Sequence, residues 1–356
     1  MTGAARLLES LKEIDEPWLE QVLRGAGYEA SIKGFRLEPI GAGNVSDTAR
    51  IVIEAEGNAP PSVVAKFRPA SEEAHTHGMG SKAYSIEAGT YELFQGVSDG
   101  CRTPVIFSLK ATDDNINLVM EDLSFVTRPG NQVAGCSIKD AEATVLQLAR
   151  LHRAFWPTSE DNAPSWAIRM PIAGDYWVGV LQAAAPIVAE RFAGDLPPQH
   201  IELVSDAATL SRAWHDLRHS AMTITHGDPR VDNVLFDDAD GGEAILIDWQ
   251  VTGVRNPMHD VGYFLSGSVS IADRRKCEHD LLDLYAEEFG RSGEFTRGQI
   301  EDDYRVQLVS GLMTTAAAVA LLLDIPKVNE LLLALLERNC AAVHDWQSLR
   351  AIRNSA

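Results

Sequence analysis

The spacing of apolar residues changes character twice along this chain. Near the start, "DEPWLEQVLRGAG" carries apolar positions at helical spacing behind Asp15, with Pro17 in the first turn and a glycine stop, which predicts a short capped helix. From about Phe35, "FRLEPI", "ARIVIEAE" and "SVVAKF" are short and alternating or β-branched, with "GAGNVS" and "GNAPP" between them, and predict strands. The "HTH" at His75 to His77 falls in a polar, loop-like stretch. "SKAYSIEAGTYELFQ" returns to helical spacing, and "TPVIFSLKATDDNINLVMEDL" predicts a hairpin turning at "TDDN". After about Leu123 helices dominate. "IKDAEATVLQLARLHRAFW" predicts an amphipathic helix with Leu146, Ala149, Leu151 and Phe155 on its apolar stripe. A stretch from Trp156 to Trp214 follows, holding four of the seven tryptophans. Next come two short strands, "NVLFDD" and "EAILID", joined by "ADGG" as a hairpin turn. Long helices fill the remainder.

This pattern predicts an α+β architecture, with a small antiparallel-sheet lobe carrying one helix over 1–122 and a larger, mainly helical lobe over 123–356. A chain of 356 residues also exceeds what one hydrophobic core usually organises. Hydrophobic residues make up 45% and charged residues 23%, an ordinary globular balance. The 51 acidic and 31 basic residues give a net charge of −20, which argues against nucleic acid or an anionic membrane as the main partner. The most apolar stretch, "GLMTTAAAVALLL", meets Asp324 and Pro326 before reaching spanning length and reads as a core helix. The N-terminal stretch turns acidic before any signal-like apolar run, and Cys101, Cys136, Cys277 and Cys340 are widely spaced. They are expected to be reduced, buried thiols of a cytoplasmic protein.

The chemistry concentrates in "THGDPRVDNVLF" and "AILIDWQ". The loop sets Asp228 and Asn233 just before one strand of the hairpin, and Asp248 arrives at the same mouth from the other strand. A carboxylate beside a buried strand costs free energy unless a cation or a reacting group compensates it. Phosphoryl transfer from ATP uses such a set: Asp228 to receive a hydroxyl proton, and the oxygens of Asn233 and Asp248 to hold Mg²⁺ on the phosphates.

"HGDPRVDN" followed by "LIDWQ" resembles the catalytic loop and metal-binding Asp of the aminoglycoside phosphotransferase and choline-kinase-like family, a branch of the protein-kinase fold. Gly227 stands where protein kinases carry Arg, and Trp249 and Gln250 replace their Phe and Gly. Only "WQVTGVRNPMH" separates Asp248 from Asp260, which disfavours a protein substrate and favours a small-molecule hydroxyl acceptor. The resemblance implies a bilobal kinase-like fold and further parts. The glycine loop "PIGAGNVSDTARIVI" would cover the nucleotide phosphates with Gly41, Gly43, Asn44 and Ser46. Lys66 in "VVAKF" would hold phosphate. Its glutamate partner would be Glu87, on the stripe Ala83, Glu87, Thr90, Tyr91, Phe94, in preference to Glu92, on the opposite side with Ala88. Backbone groups near Met120, Glu121 and Leu123 in "NLVMEDL" would meet the adenine edge, with Asp122 as a possible hinge cap. Asp260 resembles the family's helix-starting Asp that braces the catalytic loop.

His215 and His219, spaced i, i+4, lack a third metal ligand and read as a solvated helix face. The expected activity is transfer of the γ-phosphoryl group of ATP, with Mg²⁺, to a small alcohol. Trp156, Trp166, Tyr176, Trp177 and Trp214 tilt the expected acceptor toward one with apolar or ring surface. An aminoglycoside or other cationic acceptor, which the negative charge would suit, is the alternative. A nucleotide-binding module without turnover is a rival, against which the complete Lys66, Glu87, Asp228, Asn233 and Asp248 set argues. A phosphatase would need a water-positioning group that the sequence does not offer.

Overall fold

The computed structural model describes residues 5–40, 45–159, 161–217, 221–237, 242–290 and 293–355. The chain divides into two compact units: 1–98 with 103–127 and 248–251, and 99–102 with 128–247 and 252–356.

The first unit is built on a five-stranded antiparallel sheet in the order β1-β2-β3-β5-β4. Its strands are β1 (Ala30–Pro39), β2 (Asp47–Gly57), β3 (Ser62–Phe67), β4 (Ile106–Ala111) and β5 (Ile116–Glu121). The hairpin over "TDDN" forms as expected, with Ala111 opposite Ile116. Helix α1 (Glu16–Gly25) starts where the sequence placed it, the Asp15 side chain accepting from Trp18 N. Strand alternation decides which way the β3 side chains point. Val63, Ala65 and Phe67 join Leu19, Leu23 and Val119 in the core under α1, which leaves Lys66 on the other face. Buried Asn117 ties the N-terminal segment to this core, accepting from Leu8 N (2.6 Å) and donating to Leu8 O (3.0 Å).

Two helices, α2 (Glu72–Gly80) and α3 (Ala83–Phe94), follow β3. The first corrects the reading of "HTH" as a loop. Ser71 caps α2, His75 is buried with Nε2 2.7 Å from Asp114 O, and its ring stacks on Tyr84. Helix α3 buries Ala83, Glu87, Thr90 and Tyr91 as expected, while Ala88, placed on the outer side from sequence, is buried as well.

The second unit holds the remaining elements. They begin with β6 (Thr127–Pro129), α4 (Ile138–Ala154), β7 (Ile168–Arg169), α5 (Met170–Arg191), α6 (Pro198–His215) and β8 (Thr223–Thr225). The hairpin β9 (Val234–Asp237) and β10 (Ala244–Leu246) follows, then β11 (Gly253–Arg255), α7 (Met258–Ser268), α8 (Ile271–Phe289), α9 (Arg297–Gln307), α10 (Val309–Leu321), α11 (Pro326–Asp345) and α12 (Ser348–Ser355). Strand β9 pairs with β10 in antiparallel register, Leu235 opposite Ile245, and most of the predicted "ADGG" turn lies outside the described residues. Helix α4 opens with a Ser137/Asp140 capping box. It turns Val145, Leu148, Ala149 and His152 inward, leaving Leu146 and Phe155 half-buried, because the inward face must admit His152 to a buried network described below.

Trp156 and Trp214 are core residues, which removes them from the aromatic set that tilted the expected acceptor toward apolar surface. Trp156 packs edge-on against Phe289 at 5.1 Å, and Trp214 Nε1 donates to Val306 O. Tyr176 is exposed, and Trp166 and Trp177 are half-buried. All four cysteines are free thiols, but Cys101 and Cys136 are only half-buried. Among the described residues no helix is long and apolar enough to cross a membrane.

The segment after β6 passes so close to the Val231–Asn233 turn that a Cβ on Gly130 would lie 1.9 Å from Val231 O. Backbone cannot give way cheaply, so Gly130→Ala should destabilise the protein by about 1–3 kcal/mol. Urea unfolding of the variant checks this; an unchanged midpoint would remove the close approach as a constraint.

Candidate active site

In the second unit, β8 delivers the chain into the loop His226–Asn233. Gly227 sits at φ +88°, a region that side-chain-bearing residues avoid, which accounts for glycine at this position. The loop is hung on one fully buried carboxylate, Asp260, in the first turn of α7. Asp260 accepts from His226 N (2.6 Å) and Gly227 N (3.0 Å), and His152 Nε2 lies 3.2 Å away. His152 Nδ1 in turn meets the Tyr285 hydroxyl at 2.9 Å. Burial works against the charge on Asp260, but hydrogen bonds from His152 and His259 outweigh it and hold the carboxyl well below the usual carboxylate range.

Gln132 braces the other side of the loop. Its amide oxygen accepts from Val231 N (2.9 Å), and its backbone N–H donates to Asp232 Oδ1 (2.8 Å). Neither His152 nor Gln132 was singled out from sequence. A lone buried histidine in a helix and a glutamine in a connection carry no spacing signal; only the partner carboxylate and the partner loop give them meaning.

Within the loop, Asn233 donates through Nδ2 to Asp228 O (2.9 Å) and Asp228 Oδ2 (3.3 Å). Those bonds turn its oxygen, the group a hard cation prefers, the other way. Arg230 Nε lies 3.7 Å from Asp228 Oδ2. Asp228 Oδ1 is buried with no hydrogen-bond partner among the described residues. The Tyr263 hydroxyl lies within hydrogen-bonding reach of the same carboxylate, and burial together with that charge raises the tyrosine's pKa well above its usual value. At the end of the hairpin Ile247 N donates to Asn233 O (3.1 Å).

In the first unit, Lys66 Nζ donates to Glu87 Oε1 (2.7 Å) and to Asp248 Oδ1 (2.8 Å). Glu87 is 1% exposed, whereas Glu92 is exposed, so the lysine meets the glutamate chosen from the apolar stripe. Burial opposes the lysine's charge, but Asp248 and Glu87 together raise its pKa and keep it an ammonium. Asp248 takes a left-handed backbone, φ +67°, and Trp249 beside it is fully buried, edge-on to Phe94 at 4.7 Å.

Gly41, Gly43 and Asn44 lie outside the described residues; Ser46 is described and buried, and the Tyr84 hydroxyl donates to neighbouring Val45 O. Met120 and Glu121 end β5, with Glu121 N donating to Val105 O, and Leu123 O accepts from Thr127. Asp122 is a structural anchor, accepting from Arg50 Nε (2.7 Å), Ser62 Oγ (2.5 Å) and Ser124 N (3.1 Å). His215 does not lie on a solvated face as expected: it is half-buried in α6, its ring nitrogens buried and without a hydrogen-bond partner among the described residues, and His219 lies outside the described residues. Among the described residues no three His, Cys, Asp or Glu side chains cluster as a metal site. Asp248 in the first unit and Asn233 in the second each carry oxygen of the kind that Mg²⁺ prefers.

Comparison with solved structures gives the fold. The chain is similar in fold to a candidate aminoglycoside phosphotransferase of Ralstonia eutropha JMP134, with TM-score 0.51 and 15% identity over 94% of this chain and 98% of that one. It is also similar to the ethanolamine kinase of Plasmodium vivax, with TM-score 0.50 and 9% identity over 93% and 92% of the two chains. A third is the GDP complex of aminoglycoside 2'-phosphotransferase-IIIa, with TM-score 0.50 and 16% identity over 87% and 93%. The fold is that of the protein-kinase-like phosphotransferases. Residues 179–294 match the family model of the ecdysteroid kinase-like family, so the resemblance to small-molecule kinases read from "HGDPRVDN" and "LIDWQ" holds. No curated protein matches the chain significantly in sequence.

Asp260 generates a pH prediction. A carboxyl whose folded pKa is depressed stabilises the protein above its unfolded pKa, and that contribution is lost as pH falls through the folded value. Removing one side of this buried charge network with Asp260→Asn should cost about 3–5 kcal/mol at pH 7. The gap from wild type in chemical denaturation should narrow below about pH 4. A gap independent of pH would contradict the charged role.

Proposed function

We propose that the protein transfers the γ-phosphoryl group of a nucleoside triphosphate, ATP, to a hydroxyl of a small molecule. The observation that carries this reading is Lys66 held between Glu87 and Asp248 in a protein-kinase-like fold, the arrangement that presents an ammonium to nucleotide phosphates. Asp228 receives or orients the acceptor hydroxyl proton through its unpartnered oxygen. Asn233 and Asp248 hold Mg²⁺, which when bound neutralises charge on the phosphates. Lys66 binds phosphate oxygens, and the segment over 41–46 covers them. Backbone groups at Met120, Glu121 and Leu123 serve the base. Catalysis here is positioning and charge stabilisation, so no covalent nucleophile is required. The aminoglycoside 2'-phosphotransferase neighbour, solved with GDP, supports a nucleotide site and makes GTP the competing donor to test.

For the acceptor, the matched family segment spans most of α5 through α8 and favours an alcohol with a substantial apolar body. With Trp156 and Trp214 in the core, the tryptophans support this less than the family match does. A cationic aminoglycoside is the second reading, favoured by the net charge of −20. A turnover screen with ATP, GTP and Mg²⁺ against sterol-like alcohols and aminoglycosides separates them. Phosphorylation of kanamycin-like compounds with no response to apolar alcohols would reverse the preference.

The division of labour is tested with variants. Asp228→Asn should lower turnover by roughly 10²–10⁴-fold with nucleotide affinity nearly unchanged. Asp248→Ala should abolish Mg²⁺-dependent nucleotide binding together with turnover. Lys66→Ala should weaken nucleotide binding or turnover severely, and Glu87→Gln less so in the same direction. Retained affinity and rate in a folded Lys66→Ala variant would reject the phosphate-ligand assignment.

A further inference from the structure

The lysine at the centre of the first unit has a third neighbour. Two residues beyond Asp248, the Gln250 side chain reaches back into the pair, and its surroundings choose its orientation. With the amide nitrogen toward Asp248 Oδ1 (3.3 Å) and the oxygen toward Lys66 Nζ (3.1 Å), both of its polar atoms find complementary partners; reversed, both face like groups. The ammonium has three protons and here meets three acceptors: Glu87 Oε1, Asp248 Oδ1 and Gln250 Oε1. Asp248 Oδ1 in turn receives two donors, Lys66 and the Gln250 amide.

We propose that Gln250 is a positioning residue that holds Asp248 ready for a divalent cation. The inference rests on the kinase reading above and adds a residue to it. Lys66 alone would be a poor anchor for Asp248, because it is also bound to Glu87 and carries one positive charge against two carboxylates. Gln250 supplies a second donor to the same carboxylate oxygen without adding charge. It thereby fixes one oxygen of Asp248 and the orientation of the whole carboxylate. The local chain is built to keep it there. Asp248 adopts a left-handed backbone that an L-residue holds only when its surroundings over-determine it, and the intervening Trp249 is buried against Phe94. The side chains on either side of that tryptophan are thus locked to each other through one oxygen atom. Gln250 also lies within hydrogen-bonding reach of Glu87, but Glu87 is fully buried and keeps its own short bond to Lys66, whereas Asp248 is the more exposed carboxylate and depends more on the second donor.

The test is calorimetric titration of the full chain with ADP, once with EDTA and once with saturating Mg²⁺, for wild type, Gln250→Met and Gln250→Ala. Methionine keeps the length and volume of the side chain and removes both hydrogen bonds, so a packing effect would appear in alanine alone. In Gln250→Met, ADP affinity with EDTA should stay within about twofold of wild type. The tightening produced by Mg²⁺ should shrink by roughly tenfold or more, the worth of one hydrogen bond to a charged group. A full Mg²⁺ effect in the methionine variant would overturn the proposal, as would equal losses with and without metal, which signify general damage. If wild-type protein binds no ADP under either condition, the kinase reading falls and takes this inference with it. Normal wild-type binding with an unaltered methionine variant sinks the inference alone.

Discussion

A lysine ammonium cannot be buried without anions, and much of the first unit is arranged around meeting that requirement for Lys66. Strand alternation sends Val63, Ala65 and Phe67 into the core under α1 and leaves Lys66 on the other face, where α3 supplies Glu87. One carboxylate would neutralise the ammonium. The second, Asp248, arrives from far along the chain, and with it the segment 248–251 joins the first unit. The cluster therefore sets one ammonium against two carboxyl groups; burial raises the pKa of Glu87, and Asp248 is the member farthest from full burial.

Asp260 is the counterpart in the second unit, an anion that the polypeptide itself saturates. It takes two backbone N–H groups of the loop His226–Asn233 and a histidine from α4, and so converts a flexible sequence, His-Gly-Asp-Pro, into a fixed conformation. Gln132 does the same on the Val231 side with neutral groups. The candidate base Asp228 gains from this. Its loop is held by residues that do no chemistry, and one of its own oxygens is left without a partner. The two carboxylates differ in setting: Asp260 is fully buried and saturated by the chain, whereas Asp228 is half-buried.

Most strands, the hairpins and the helix starts could be read from the sequence, because period-two alternation and caps such as Asp15 act locally. The reading of β1 began at Phe35 because Ser31, Lys33 and Gly34 interrupt its pattern; pairing with Glu54–Gly57 of β2 extends it back to Ala30. Helix α2 was missed because its glycines and histidines show no apolar period, and docking of His75 on Asp114 O and Tyr84 supplies what propensity does not. Glu87 could be told from Glu92 in advance, since a carboxylate on an apolar stripe demands a cation. The motif residues Asp228, Asn233 and Asp248 were visible for the same reason, as polar groups at fixed spacing beside buried strands. What the sequence by itself determined was α1, α3, α4, the strands β2 to β5, the hairpin β9–β10, and which polar residues stand beside buried strands. Tertiary structure alone decided that Trp156 and Trp214 are core, that His152 and Gln132 brace the loop, and that Gln250 closes on Lys66. Each of those outcomes depends on a partner distant in the chain or on the turn of a backbone, and neither leaves a mark in local spacing.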